Sequence, residues 1–292
     1  MVSRALNRIF ARRPQAALAG LLGPAAGWLL IFFLTPLLVV LLFSFGQRTT
    51  YGGIELGLSL SNYARALDPL YLKIYWRSLW LAVVTTALCL LISYPAAYCI
   101  ALKTAPRWKN LLLVLSVIPF WTSFLIRTYA WMLILRTEGL INSALTSIGL
   151  IDQPLKLLYT DTAILLGLVY GELPFMILPL YATIEKLDVR LLEAAMDLGA
   201  NRFWTFLKVT LPLTKVGVVT AVLLVFIPSL GAFVTPDLLG GAKQAMIGNL
   251  IQNQFAVARD QPFGSAISFL LTFVVLALLG AGFKAGMKPR AD

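Results

Sequence analysis

Six stretches of this chain are apolar over lengths sufficient to cross the hydrocarbon of a bilayer, which takes about 20 residues per helix. They fall at roughly 22–45, 78–102, 110–135, 162–183, 213–235 and 262–283. Backbone polar groups in lipid must pair within their own segment, so runs of this kind impose an all-α integral membrane bundle of six transmembrane helices. Composition agrees. Of 292 residues 59% are hydrophobic and 13% charged, with mean hydropathy +0.84, against roughly a quarter charged in a soluble domain. The first stretch follows Arg4, Arg8, Arg12 and Arg13 as a signal peptide would, yet it is about twice as long as a signal's apolar region. The third is interrupted by Arg127 after 17 uncharged residues. On a straight helix that guanidinium lies about 26 Å from the inner end, within snorkelling reach of the far interface.

The 24 Lys and Arg against 13 Asp and Glu give a net charge of +11, a balance that suggests nucleic acid until it is mapped onto the loops. Fifteen of the 24 fall on one side: Arg4, Arg8, Arg12, Arg13, Lys103, Arg107, Lys109, Lys186, Arg190, Arg202, Lys208, Lys215, Lys284, Lys288 and Arg290. The positive-inside rule therefore sets both termini in the cytoplasm, and the excess charge orients the chain without any nucleic-acid partner. The expected organisation is a cytoplasmic segment 1–21, one transmembrane domain 22–283 with a cytoplasmic loop 184–212, and a tail 284–292. Outer connections around Asn62–Tyr75, Gly139–Leu158 and Ala245–Val257 mix apolar and polar positions, as short interfacial helices do.

Much chemistry is excluded by residue type. There is no His, so His-based metal sites, general bases and triads are absent. Cys89 and Cys99 sit about 15 Å apart on one helix, too far for a disulfide, and read as packing residues. Gly240-Gly241-Ala242-Lys243 is too short for a phosphate-binding loop and falls on the outer side. No carboxylate pair or activated nucleophile stands out, so the chain reads as a non-enzymatic subunit with no cofactor of its own and no metal.

The loop between the fourth and fifth stretches is the informative one. It reads Glu193-Ala194-Ala195-Met196-Asp197-Leu198-Gly199, then nine residues, then Val209-Thr210-Leu211-Pro212. The spacing predicts a helix over Leu191–Leu198 closed by Gly199 in a left-handed cap, and a second helix opened by Asn201. Leu191, Leu192, Ala195 and Leu198 share one face, and Phe203, Phe206 and Leu207 another. Such a knob either docks a partner closely through its small alanines or lies on the membrane surface.

Its pattern, Glu-Ala-Ala, three residues, Gly, nine residues, aliphatic, one residue, Leu-Pro, resembles the EAA loop of permease subunits of binding-protein-dependent ABC importers, with Val209 in place of the usual isoleucine. The resemblance implies a type I ABC importer (MetI-like) permease fold in a bacterial inner membrane. It also implies that Glu193, Ala194, Ala195, Asp197 and Gly199 shape a contact with an ATPase subunit dimer, while Val209, Leu211 and Pro212 restart the next membrane helix. ATP and Mg would then be bound by that ATPase. A wider likeness runs from Ser61 to Ala281. Asn62-Tyr63, Asp68-Pro69-Leu70-Tyr71, the string Pro119 to Trp131, Leu173-Pro174-Phe175-Met176, Pro236 to Gly241 and Met246-Ile247-Gly248-Asn249 are similar to the first of the two permease subunits of spermidine/putrescine importers. This implies a second, homologous permease subunit and an extracytoplasmic polyamine-binding protein as partners. Permeases for opines, aminophosphonates or ferric ion share parts of the pattern.

Glu172, about mid-membrane in the fourth stretch, is the leading candidate for contact with cargo, since an ionisable group at that depth usually faces a cavity. A carboxylate there offsets an ammonium charge, and Trp121, Tyr129, Trp131 and Tyr170 are candidates for cation-π contacts. Packing is the competing role for Glu172, and membrane-interface anchoring for the tryptophans. Asp237 and Asp68, in outer loops, are candidates for the pore mouth or for contact with the delivering protein. A self-sufficient channel or ion-driven carrier calls for polar groups in several spans, and a membrane enzyme for carboxylate clusters; neither pattern is present.

Overall fold

The computed structural model describes residues 14–49, 53–241 and 244–286, with side chains outside 14–21 and 283–286. Arg4, Arg8, Arg12, Arg13, Lys288 and Arg290 of the charge argument lie outside the described residues, as does Lys243. The fold is an all-α membrane bundle. Among the described residues four helices are long and apolar enough to cross alone: α1 (Pro14–Ser44, apolar from Leu22), α3 (Pro69–Tyr98, continued by a π turn to Lys103), α7 (Asp161–Ile184) and α12 (Gln261–Gly286). Two bent helix pairs are long and apolar enough to make two further crossings, six in all. The first joins α4 (Pro106–Val117, with a 3-10 turn to Trp121) to α5 (Phe124–Leu135) and α6 (Leu140–Ser147), with an angle of 87°. The second joins α9 (Arg202–Leu213) to α10 (Lys215–Leu230) at 71°.

The first of these bends corrects the straight helix on which the depth of Arg127 is reckoned. Pro119 removes a backbone donor, and Thr122 adopts an extended conformation (ψ 145°) that no helix continues. The third stretch therefore turns before Arg127, whose guanidinium lies over the Phe120 and Phe124 rings instead of continuing along a straight helix toward the far end. The fifth breaks at Thr214, just after Pro212, and α10 ends at Leu230, so residues 231–233 of the expected span 213–235 leave the helix. The second helix is longer than expected, 35 residues from Pro69 to Lys103. Its start is set by Pro69 in the first turn and by Asp68, whose carboxylate accepts from the Leu70 N–H at 2.9 Å. Asp68 is thus a helix cap.

The core sits where α3, α7 and α10 meet. Tyr94, Ala97 and Ile100 from α3 and its extension, Met176, Leu180 and Ile184 from α7, and Ala221 and Val225 from α10 form one buried cluster. Cys89 belongs to it, but Cys99 is exposed, correcting its reading as a packing residue. Burying these side chains is worth about 1.5–3 kcal/mol for each large one. By contrast α1, which runs along α12, buries nothing over its most apolar 18 residues, an outward face suited to lipid.

The outer connections form α2 (Ser61–Ala66), α6 and α11 (Ile247–Ala256), each fixed by an asparagine. Asn62 donates to the carbonyls of Ser44 and Gly46. Asn142 exchanges bonds with the backbone of Leu155. Asn249 accepts from the Met246 N–H and donates to Phe233 O at 2.7 Å, pinning the non-helical segment after α10. A two-residue hairpin, Gln47–Arg48 with Ile54–Glu55, was not expected from sequence.

Candidate functional site

Two regions concentrate the residues singled out above. The first is the knob between α7 and α10. α8 (Val189–Asp197) begins at Asp188, whose side chain accepts from the Arg190 N–H, and ends with Leu198. Gly199 has φ +90°, and its N–H donates to Met196 O while that of Ala200 donates to Ala195 O. A Cβ on Gly199 would meet nothing within 4 Å, so glycine is required here for its backbone conformation and not for space. Asn201 opens α9, its side chain accepting from the Trp204 N–H at 2.9 Å.

The helix faces differ from the expectation. Leu192 is buried and Ala195 half-buried, but Leu191 is exposed and Leu198 is 90% exposed. Phe206 turns inward against the rings of Tyr94 and Tyr98, whereas Phe203 and Leu207 face outward. Glu193, Ala194 and Asp197 are exposed; Val209 and Leu211 are half-buried and Pro212 exposed. The outcome is an apolar surface of Val189, Leu191, Met196, Leu198 and Phe203, set among charges outside the spans. From there the chain reaches α10 through Thr214, whose hydroxyl donates to Thr210 O and lies 2.8 Å from that of Tyr94.

The second region is a cavity of about 250 Å³ between α5, α7 and the end of α10. Phe120, Phe124 and Phe175 wall it, the segment 231–235 closes one side, and Glu172 and Arg127 supply opposite charges. Glu172 stands about 17 Å along α7 from its outer end. Its Oε2 is buried without a hydrogen-bond partner, and so are Arg127 Nε and Nη1. The guanidinium carbon lies 5.0 Å from the Phe120 ring centre and 5.8 Å from that of Phe124.

The aromatic residues expected beside Glu172 are elsewhere. Trp121 is 82% exposed and Tyr129 is exposed. Trp131 and Tyr170 pack edge to face on one another, ring centres 5.5 Å apart, outside the cavity lining. Asp237 opens into a separate cleft with Tyr159 and Gln244. Sequence reasoning missed Phe120, Phe124, Phe175 and Arg127. A signal was available in Gly167-Leu168 and Gly171-Glu172, one helical turn apart, which mark a low wall on the face carrying the acid.

A helical membrane bundle with a half-open cavity carrying opposite charges and an exposed apolar knob is the architecture of a membrane transport component. Residues 93–292 match the family described as binding-protein-dependent transport system inner membrane component, and the chain belongs to that family. It is 45% identical over 258 residues to the spermidine/putrescine transport system permease protein PotB of Haemophilus influenzae, covering 88% of this chain and 90% of that one. To PotB of Escherichia coli K12 the identity is 44% over 253 residues, covering 87% and 92%. The inner membrane ABC transporter permease protein YdcU of Escherichia coli is 31% identical over 274 residues, covering 88% and 85%. Among solved structures, a bacterial ABC transporter involved in the import of the acidic polysaccharide alginate superposes with TM-score 0.77 at 16% identity, covering 99% of both chains. The MetNI methionine ABC transporter in an inward-facing conformation gives TM-score 0.55 at 18% identity, covering 74% of this chain and 96% of that one. These two share the fold.

Proposed function

We propose that this chain is a polyamine-conducting permease subunit of an ATP-driven importer, taking spermidine or putrescine from an extracytoplasmic binding protein. The observation that carries the reading is Glu172: an unpaired carboxylate oxygen buried at mid-membrane in a cavity walled by phenylalanines. An anion at that depth is costly unless it serves a passing cation, and ring faces favour ammonium groups by up to about 2 kcal/mol each when desolvated. The names of the PotB relatives support the same cargo.

In this reading the subunit binds no nucleotide. A dimer of ATPase subunits holds ATP and Mg, a second permease completes the pathway, and the membrane domain spans 22–283 between cytoplasmic ends 1–21 and 284–292. Loop 184–212 is the coupling element. Glu193, Ala194, Ala195, Asp197 and Gly199 shape its docking surface, and Leu198 and Phe203 supply apolar contact. Val209, Leu211 and Pro212 pass its displacement through Thr214 into α10, whose far end borders the Glu172 cavity. Rocking of α10 at the Thr214 bend thus links nucleotide-driven closure to exposure of Glu172.

One observation favours a second cargo class. Arg127 in the same cavity suits a solute with an anionic end as well as an amine, such as an opine or aminophosphonate. The test is uptake of radiolabelled spermidine, putrescine and one zwitterionic solute by the full complex in vesicles. Uptake of the polyamines upholds the first reading; uptake of the zwitterion alone replaces it.

A further inference from the structure

Arg127 and Glu172 line one cavity, yet no ion pair joins them within 4.0 Å; among the described residues the ion pairs are Arg65–Asp260, Arg77–Asp161 and Lys109–Glu185. Each leaves buried polar atoms without a partner: Nε and Nη1 on the arginine, Oε2 on the glutamate. The guanidinium instead faces the rings of Phe120 and Phe124. A cation and an anion with buried, unpartnered atoms in one cavity attract each other, and a charge-assisted bond to a carboxylate is stronger than contact with a ring face.

From this geometry we infer that Arg127 is the internal gate: it pairs with Glu172 to close the cavity, and a cationic cargo must displace it. The structure holds the open arrangement, with the guanidinium set back on the aromatic rings and the carboxylate free to accept an ammonium. The closed arrangement pins α5, which carries Arg127, to α7, which carries Glu172. The cavity's third wall is the end of α10 and the segment after it. Since α10 continues through Thr214 into α9 and α8, the state of the charge pair biases the cytoplasmic knob. Gate and cargo compete for one carboxylate, so a cargo binds productively only if its own cation replaces the guanidinium. The inference rests on Glu172 as the cation acceptor of the proposed function.

The test is a double-mutant cycle in the reconstituted full complex, read first as ATP hydrolysis without cargo and then as polyamine uptake. Arg127→Met removes the gate and raises cargo-free hydrolysis about fivefold, Glu172→Gln does likewise, and the double variant rises no further, the non-additivity expected of a directly coupled pair. Arg127→Lys, which keeps charge without the planar fork, gives a smaller rise and guards against a Met variant that fails to assemble. Multiplying effects in the double variant, or cargo-free hydrolysis unchanged in Arg127→Met, overturns the gate. Loss of uptake of a zwitterionic solute in Arg127→Met with unchanged cargo-free hydrolysis also overturns it, assigning Arg127 to an anion subsite. A coupled cycle in a complex that carries neither polyamine leaves the gate standing and removes the cargo reading. Normal polyamine uptake with an uncoupled cycle does the reverse.

Discussion

The hydroxyls of Tyr94 and Thr214 lie 2.8 Å apart, buried, and tie α3 to the 71° bend that joins α9 to α10. Thr214 also donates to Thr210 O, and the Tyr94 ring meets Phe206 edge to face at 5.4 Å. One tyrosine thus braces both the exit of the cytoplasmic knob and the start of the fifth crossing. Tyr94→Phe keeps the ring contact and removes the hydroxyl pair. The expected result is a loss of about 0.5–1.5 kcal/mol in stability and fewer cargo molecules moved per ATP. Thermal unfolding of the purified complex, together with paired uptake and hydrolysis assays, decides it; an unchanged transport-to-hydrolysis ratio removes the bend from the mechanism.

Gly199 and Glu193 are predicted to matter for coupling and not for insertion. At φ +90° a β-branched residue is strained by about 1–2 kcal/mol, so Gly199→Val reorganises the end of α8, while Glu193→Lys reverses an exposed charge on the same knob. Both variants should reach the membrane at wild-type levels and lose coupled uptake, and Gly199→Asn should retain part of it. Membrane fractionation with an uptake assay checks this. Normal uptake by either of the first two variants argues against the docking role.

Glu172→Gln is expected to slow polyamine uptake severely while leaving copurification with the ATPase unchanged, because Gln keeps the shape and removes the charge. Uptake at the wild-type rate for both polyamines would return Glu172 to a packing role.

On the outer side, Gly248→Ala is expected to disturb the cavity from a distance. A Cβ there would strike the carbonyl of Gly231 and the backbone of Ala232, pushing the segment that closes the cavity; overpacking of this kind costs about 1–3 kcal/mol. Asn249→Ala, which frees Phe233 O and the Met246 N–H, should lower the unfolding temperature similarly. A calorimetric midpoint unmoved in both variants would show that the segment is not held by α11.

The purified, folded subunit is expected to show no competable photolabelling by an azido-ATP, since Gly240-Gly241-Ala242-Lys243 offers no phosphate-binding loop. Specific labelling would overturn the division of labour.

The apolar stretches and the two caps of the knob were legible because each depends on neighbours in sequence: a run of carbons, a glycine past a helix end, an asparagine before the next. The size of the bends was not, because a proline such as Pro119 is tolerated in many membrane helices and hydropathy, averaged over a whole window, passes across Thr122 and Thr214 unmarked. Arg127 was misplaced for that reason, being measured along a helix that stops at Trp121. The cavity was half legible. Glu172 stood out by its charge, but the rings around it come from Phe120, Phe124 and Phe175, apolar residues in apolar segments, chosen over Trp131 and Tyr170 only by how three elements meet.

The depth of Glu172 has an electrical meaning. With about 17 Å of α7 outside it and about 18 Å inside, Glu172 stands about halfway along the helix, so about half of a membrane voltage lies between it and the cytoplasm. A cation leaving Glu172 for the cytoplasm descends that half, gaining about 1.2 kcal/mol per charge for each 100 mV across the membrane. A cargo bearing three charges feels three times the pull of a monocation, so depolarising the vesicles should slow the most highly charged polyamine most.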